Sequence, residues 1–369
     1  MKVRTRTRLQ EVRKARGLAA AELAQRVGVS RQTIYAIEDG SYVPNTTTAL
    51  RLAQALETRV EELFSLQEPT GGADQPLRAE LLTNTHGEEH LVRLCRVGER
   101  LLAVPSPSLP DYLPPGDGIV QRRSGNAVWV KPFGELPDNR KRLILAGCDP
   151  ALSVLAELLA TSGIEVISIP CSSQNALRWL KRGCVHVAGS HLFDHATGEY
   201  NVPFIQRAFP QGSVRVVTFA VWEEGIVVQR GNPKNISSLA DFSRKGVKIV
   251  NREKGSGSRD LLDTGLRDTG IATGSVKGYS DLAQGHLPAA YAVATKSADC
   301  CIATQLAARR FGLGFVPLAS ERFDLTLSLA SLELPAAKAL LEALNHTALR
   351  RKLQRMAGYE TQQTGAVQL

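Results

Sequence analysis

The chain has 369 residues, 43% of them hydrophobic, and a formal charge of +9 at neutral pH. That length suggests two or three domains, and the apolar content is enough for packed cores, which excludes wholesale disorder. The positive charge permits an anionic partner without identifying one.

Basic residues gather at the start, where Lys2, Arg4, Arg6, Arg8, Arg13, Lys14 and Arg16 face only Glu11. Such an arm suits phosphates and would make affinity salt-dependent; the alternative is a solvated terminus. A helix is expected over Arg8–Arg16, closed by Gly17-Leu18. Glu22, Leu23, Ala24 and Val27 then carry a helical apolar period that Gly28 breaks. Ser30 is placed to cap the next helix, whose Ile34 and Ile37 face inward while Arg31, Gln32, Thr33 and Tyr35 face outward. Gly40 supplies a left-handed stop. Pro44-Asn45 precede a fourth helix, with Leu50, Ala53 and Leu56 expected on its inner face.

These residues resemble the helix-turn-helix of the Cro-type (XRE) repressor family over roughly Thr5–Phe64. The resemblance implies a buried ion pair between Arg13 and Glu38, and a closing helix at Glu61-Glu62-Leu63-Phe64. It also implies double-stranded DNA as partner, with Ser30, Arg31, Gln32, Thr33 and Tyr35 at the groove. The family often has a phosphate-binding glutamine where this chain has Ala19-Ala20-Ala21.

Gln67–Pro76 has the Gly, Pro and polar content of a linker. From Leu77 to about Val130, short β-like runs (HLVRLCRV, RLLAVP, GIVQRR, AVWVKP) alternate with turn residues and a proline-rich stretch at Pro105–Pro115. They suggest a small β module that packs on a neighbour, connects the larger parts and assists dimerisation. From Arg142 strands and helices alternate. Strands are expected at RLILAGC, Ile164–Ile169, Val185–Gly189, Val214–Ala220, Gly225–Gln229, Val247–Asn251 and Phe315–Pro317. Helices are expected at Ala151–Thr161, Gln174–Lys181, Leu239–Arg244, Arg259–Leu266, Ala289–Thr295, Lys338–Leu344 and Ala348–Met356. This is an α/β pattern.

The ordered pieces AGCDPAL, SSQNAL, HVAGSHLFD, TGEYN, NREKGSGSRDLLD, FVPLASERFDL and GYETQQTG resemble a type 2 periplasmic-binding-protein-like domain. The nearer resemblance is to the kind found beside bacterial DNA-binding modules and in some molybdenum-cofactor biosynthesis proteins. It covers about Leu143–Gly365 and implies two lobes, with crossing strands near Val217–Val221 and Phe315–Glu321 and a ligand in the cleft. The expected chain is therefore multidomain: an all-α helix-turn-helix domain (residues 1–68), a linker and small β module (69–141) and an α/β two-lobed ligand-sensing domain (142–369).

In that fold three helix N-termini converge, at Asp149, at Ser172-Ser173 and at Gly255–Ser258, each a candidate anion site. Ser256, Gly257, Ser258 and Arg259 add hydroxyls, close backbone approach and a forked cation; the other reading of GSGS is a sharp capped turn. His191, Asp194, Arg252 and Tyr279 are further lining candidates, and Tyr200, Asn201 and His286 stand behind them. His186, His191, Asp194 and His195 have part of a metal-ligand spacing but no second cluster, so no metal is expected. The cysteines Cys95, Cys148, Cys171, Cys184, Cys300 and Cys301 form no CxxC pair and read as reduced and mostly buried.

The resulting expectation is a cytoplasmic, dimeric, ligand-responsive transcription regulator with no cofactor and no membrane partner. Its effector would be a small anion, with molybdate, tungstate or a molybdenum-cofactor compound suggested by the resemblance alone. No catalytic residues are assigned. The alternative is an enzyme acting on a molybdenum-cofactor precursor with an appended helix-turn-helix module.

Overall fold

The computed structural model describes residues 5–66, 76–83, 90–106 and 115–369. Lys2 and Arg4 of the basic arm, residues 67–75 of the linker and residues 107–114 of the proline-rich stretch lie outside that description. The chain divides into two compact units, Met1–Gln75 and Pro76–Leu369.

The first unit is helical. Its helices are α1 (Leu9–Ala15), α2 (Ala20–Val27), α3 (Arg31–Glu38), α4 (Thr46–Ala55) and α5 (Val60–Leu63), and the short strands β1 (Thr5–Thr7) and β2 (Phe64–Leu66) pair antiparallel. Gly28, at φ 76°, turns the chain between α2 and α3, and Gly40, at φ 77°, follows the end of α3. Leu9, Leu23, Val27, Ile34, Ile37, Leu52, Leu56 and Leu63 form the core. One expectation is corrected here. Leu50 is 57% exposed, because α4 turns Ala49, Leu52 and Ala53 inward instead.

The second unit begins with a closed barrel. Strands β3 (Leu77–Leu81), β4 (Leu91–Val97), β5 (Arg100–Pro105), β6 (Gly118–Ser124) and β7 (Ala127–Pro132) close in the order β3-β5-β4-β6-β7. Alternation along these strands sends Ala79, Leu81, Val92, Leu94, Ala103, Val120, Val128 and Val130 inside. Cys95, Leu102 and Val104 point the other way and share a core with Ile144, Ile167, Ala176, Leu177 and Leu180 of the α/β part. The module thus packs on a neighbour, as its short strands require.

The α/β part supplies a sheet with strand order β16-β13-β17-β10-β8-β9. The first lobe holds β8 (Arg142–Ala146), α6 (Leu152–Thr161), β9 (Glu165–Ile169), α7 (Ser173–Lys181), β10 (Val187–Ser190), the hairpin β11 (Phe193–Asp194) and β12 (Glu199–Tyr200), and α8 (Val202–Ala208). After β13 (Val214–Val228) the second lobe contributes β14 (Asn251–Arg252), α9 (Gly257–Asp268), β15 (Leu282–Ala283), α10 (His286–Ala294), β16 (Cys300–Thr304) and α11 (Gln305–Arg310). Then β17 (Gly314–Ser328) returns to the first lobe, which α12 (Leu329–Leu332), α13 (Pro335–Leu344), α14 (Thr347–Gln354) and β18 (Tyr359–Glu360) complete.

Two strands expected as separate, Val214–Ala220 and Gly225–Gln229, are one strand. β13 runs unbroken alongside β17 and bends through register shifts at Thr218/Ala220 and Glu224/Gly225. Its first half packs in the first lobe with Phe219, Ala220 and Trp222, and its second half in the other with Ile226 and Val228. The crossing therefore lies at Trp222–Glu224, a few residues beyond the expected Val217–Val221. Of the expected strand Val247–Asn251 only Asn251 lies in a strand, at the start of β14, with a single bridge from Ile249 to Cys300 before it.

Candidate effector cleft and DNA-reading helix

In the helical unit the Ser30 hydroxyl accepts the Thr33 N–H at 3.0 Å, the expected cap. That leaves the first turn of α3 open, with Arg31 and Gln32 exposed and Thr33 partly so. Arg31 donates to the Tyr35 hydroxyl at 2.8 Å and lies over its ring at 5.3 Å, so both side chains stand on one outward surface. Behind them Arg13 holds Glu38 through two bonds of 2.6 and 3.1 Å and donates to the Leu18 carbonyl at 2.8 Å. This buried fork fixes the end of α3 against α1, as the resemblance implied.

In the α/β part the lobes meet through backbone as well as side chains. The Gln174 N–H, at the start of α7, donates to the Gly255 carbonyl at 3.2 Å, so two of the three expected helix N-termini adjoin. Gly257 is needed at its position, since a Cβ there would lie 2.3 Å from the His191 carbonyl oxygen.

The expected lining residues divide sharply. Asp149, Ser172, Ser173, His191, Arg252 and Ser258 are buried around this junction. The Ser172 hydroxyl caps α7 at Asn175, the Ser173 hydroxyl accepts the His191 N–H at 3.1 Å, and Ser258 accepts from Arg252 at 3.3 Å. Other candidates are satisfied within their own lobe. Arg259 pairs with Asp263 at 3.0 Å and stacks on Tyr279, whose hydroxyl donates to the same Asp263 at 2.7 Å. Ser256 caps α9 and donates to the Glu253 carbonyl. Arg252 pairs with Glu253 at 2.9 Å. Asp194 accepts from Arg207 at 2.6 Å and from the Ala196 and Thr197 N–H groups, which makes it a loop staple. The arginines expected to clamp an oxyanion thus already have carboxylate partners.

What the junction holds instead is a dense buried polar cluster. The His191 Nδ1 pairs with Glu321 of β17, and its Nε2 lies 3.1 Å from the Cys148 Sγ. His286, the first residue of α10, stands 3.6 Å from Glu224 of β13, and both side chains are fully buried. Trp222 stacks edge-on to His191 at 5.1 Å. Asp149 accepts the Tyr359 hydroxyl and the Ala151 N–H through one oxygen. The second oxygen of Asp149, Nε1 of Trp222, both oxygens of Glu224 and both ring nitrogens of His286 are buried without a hydrogen-bond partner.

That environment shifts the acids and bases. Burial raises Asp149 to about 7 despite the Tyr359 bond. Burial, and then the Glu321 charge, raise Glu224 to about 7. His286 falls well below the ordinary histidine value through burial, with Arg252 adding to it. His191 rises well above it: burial opposes its cation, but Cys148 and Glu321 favour the cation more strongly. Such displaced groups concentrate at functional sites. Sequence reasoning passed over Cys148, Trp222, Glu224, Glu321 and Tyr359. The signal present was a pair of acidic residues inside the otherwise apolar run AVWEEGIVV, and it marks the crossing.

Comparison with known proteins fits this architecture. A helix-turn-helix family model matches residues 9–63, and a PBP superfamily domain model matches residues 156–345, more than half of the chain. The chain belongs to the PBP superfamily. This PBP-like protein is 34% identical to YvgK of Bacillus subtilis over 63% of its own length and 75% of that protein. Its helix-turn-helix domain is 50% identical to an HTH-type transcriptional regulator of Methanothermobacter thermautotrophicus, over 17% of this chain and 93% of that one. Among solved structures, the sulfate-binding protein SubI from Mycobacterium tuberculosis H37Rv is similar, with 19% identity and a TM-score of 0.43. The likeness covers 59% of this chain and 86% of that chain. Among the described residues no helix is long and apolar enough to cross a membrane.

Proposed function

We propose that the protein is a DNA-binding transcription regulator whose PBP-like domain takes a small effector between its two lobes. The observation that carries this reading is the set of buried, unpartnered polar atoms of Asp149, Trp222, Glu224 and His286 at the lobe crossing. Burying such groups without partners is costly, and convergent polar groups at a domain junction are where small ligands bind. The exposed face of Ser30, Arg31, Gln32, Thr33 and Tyr35 supplies the output, with Arg31 and Gln32 reading base edges. A homodimer would place two such helices on half-sites about 34 Å apart. Regulation follows if the effector binds the DNA-competent and incompetent forms unequally.

For the effector's chemistry, the starts of α7 and α9 together with the Ser172, Ser173 and Ser258 hydroxyls suit a small anion, molybdate and tungstate included. Asp149, Glu224 and Glu321 oppose a bare anion, so an anionic effector needs a proton or a cation beside it.

The test uses the full chain. Fluorescence anisotropy on genomic fragments, with and without molybdate, tungstate, sulfate, phosphate and common organic acids, should find a preferred fragment and an effector that changes its affinity. The same effector at 100 times its Kd should add about 2.7 kcal/mol to the stability of the domain that binds it. Arg31→Ala should cost about 1–3 kcal/mol at one base pair and relax preference there. Uniform loss on all DNA would remove Arg31 from base reading, and indifference to sequence would remove the regulator reading.

One observation favours an enzyme instead. Cys148, His191 and Glu321 line up as nucleophile, base and orienting carboxylate. This arrangement leaves His286 and Glu224 without a role. A burst of nitrophenol from nitrophenyl acetate, absent in Cys148→Ser, would carry that reading.

A further inference from the structure

We propose that the lobe crossing is a transition-metal site, with zinc(II) as the fitting ion, and that Cys148, His191 and His286 are its ligands. The proposal rests on reading the cleft as the effector site, and it names what enters first.

Cys148, His191 and His286 offer a sulfur and two ring nitrogens that all lie within 4.8 Å of one another, and each residue is buried. Ligand atoms around a tetrahedral zinc stand roughly 3.5 Å apart, given bond lengths near 2.0 and 2.3 Å. Cys148 Sγ and His191 Nε2, at 3.1 Å, are close to that separation already. Thiolate with imidazole suits a borderline-soft ion and disfavours magnesium or calcium.

The surrounding carboxylates do what metal sites ask of them. A ligating histidine almost always gives its other ring N–H to an acceptor, which fixes the tautomer and aims the remaining nitrogen. Glu321 does this for Nδ1 of His191, which leaves Nε2 toward Cys148. Glu224 lies 3.6 Å from Nδ1 of His286, positioned to do the same. A bound ion thus accounts for groups that no internal bond explains. Both His286 nitrogens and both Glu224 oxygens are fully buried without a hydrogen-bond partner, and a cation offsets the excess of carboxylates.

The ligands come from both lobes. Cys148 and His191 follow β8 and β10 of the first lobe, and His286 opens α10 of the second. An ion held by all three ties the lobes together, while three protein ligands leave a coordination position for an anionic effector.

The experiment is a titration of the chelator-treated, reduced full-length protein with Co(II), followed by displacement with Zn(II). The expected result is one equivalent bound, with a thiolate-to-metal charge-transfer absorption and quenching of Trp222, whose ring lies 5.1 Å from His191 and 5.7 Å from His286. Cys148→Ser should abolish the charge-transfer band, and His286→Gln should lower affinity by at least tenfold. Glu321→Gln should lower it by about 10- to 100-fold with the band retained, the mark of an orienting residue. Circular dichroism and thermal unfolding report whether each variant folds, and His286→Gln carries the test if Cys148→Ser does not. No stoichiometric binding, or binding unchanged in His286→Gln and Cys148→Ser, overturns the site. The regulator reading fails separately. If the site fills with Zn(II) and DNA affinity does not move with any effector, the metal site stands and the sensor role does not.

Discussion

At the scale of single residues, buried charge and buried imidazole do the most work. Arg13 and Glu38 hold α3 in place through a fork that is almost entirely out of water. Removing one partner leaves the other charge buried alone, which costs about 3–5 kcal/mol. Glu38→Ala should therefore unfold the helical unit at markedly lower urea concentration, measured by circular dichroism, and should reduce DNA binding only through the folded fraction. His186 gives a pH signature. It shares part of a metal-ligand spacing, yet it accepts the Ile144 N–H at 3.0 Å in the first-lobe core, and burial lowers it to about 4. Its folded value lies below its unfolded one of 6.5, so the unfolded chain takes up a proton first as pH falls. The contribution is complete above pH 6.5 and is lost progressively toward pH 4, at up to about 1.4 kcal/mol per pH unit. Denaturant unfolding at a series of pH values should show this slope, and His186→Asn, which keeps an acceptor, should flatten it.

At the scale of elements, local rules carried far in some places and stopped in others. The caps at Ser30, Asn45, Ser172 and Ser256, and the glycine after α2, act on neighbours a few residues away, so a reader of the sequence could place them. The crossing could not be placed that way. β13 reads as two strands because Glu223-Glu224-Gly225 interrupts its apolar run, and only pairing with β17, about a hundred residues later, makes it one. The cluster was hidden for the same reason: Cys148, His191, Glu224, His286 and Glu321 share no spacing and meet only through topology. The anion reading of GSGS-Arg259 saw the helix start correctly but not Asp263, one turn on, which takes the arginine. The α9 start yields a prediction of its own. In Gly257→Ala the new methyl meets the His191 carbonyl, a backbone atom that cannot swing away. The variant should fold, since each lobe has its own core, yet lose most of the thermal stabilisation that an effector gives wild type, read by calorimetry.

At the scale of the whole molecule, composition shifts and strand–helix alternation set apart a helical domain, a small β module and an α/β domain. The two lobes were implied by the resemblance, and neither the closure of the β module into a barrel nor its grouping with the α/β part in one compact unit was read from the sequence. That this module packs on a neighbour was expected; which face it uses was not, because nothing local marks which side of a strand faces a second domain. Yet polar contacts make the attachment specific: Arg142 donates to the Leu94 carbonyl at 2.6 Å and pairs with Asp117 and Glu165, and Arg93 pairs with Glu165 as well. The barrel's outer residues Cys95, Leu102 and Val104 close the same core that Ile144, Ala176 and Leu180 enter from the other side. A shortened protein starting at Arg142 would look like a whole binding domain on paper. It would carry an apolar wall turned to water, and light scattering should find it clumping at concentrations where the parent stays dispersed.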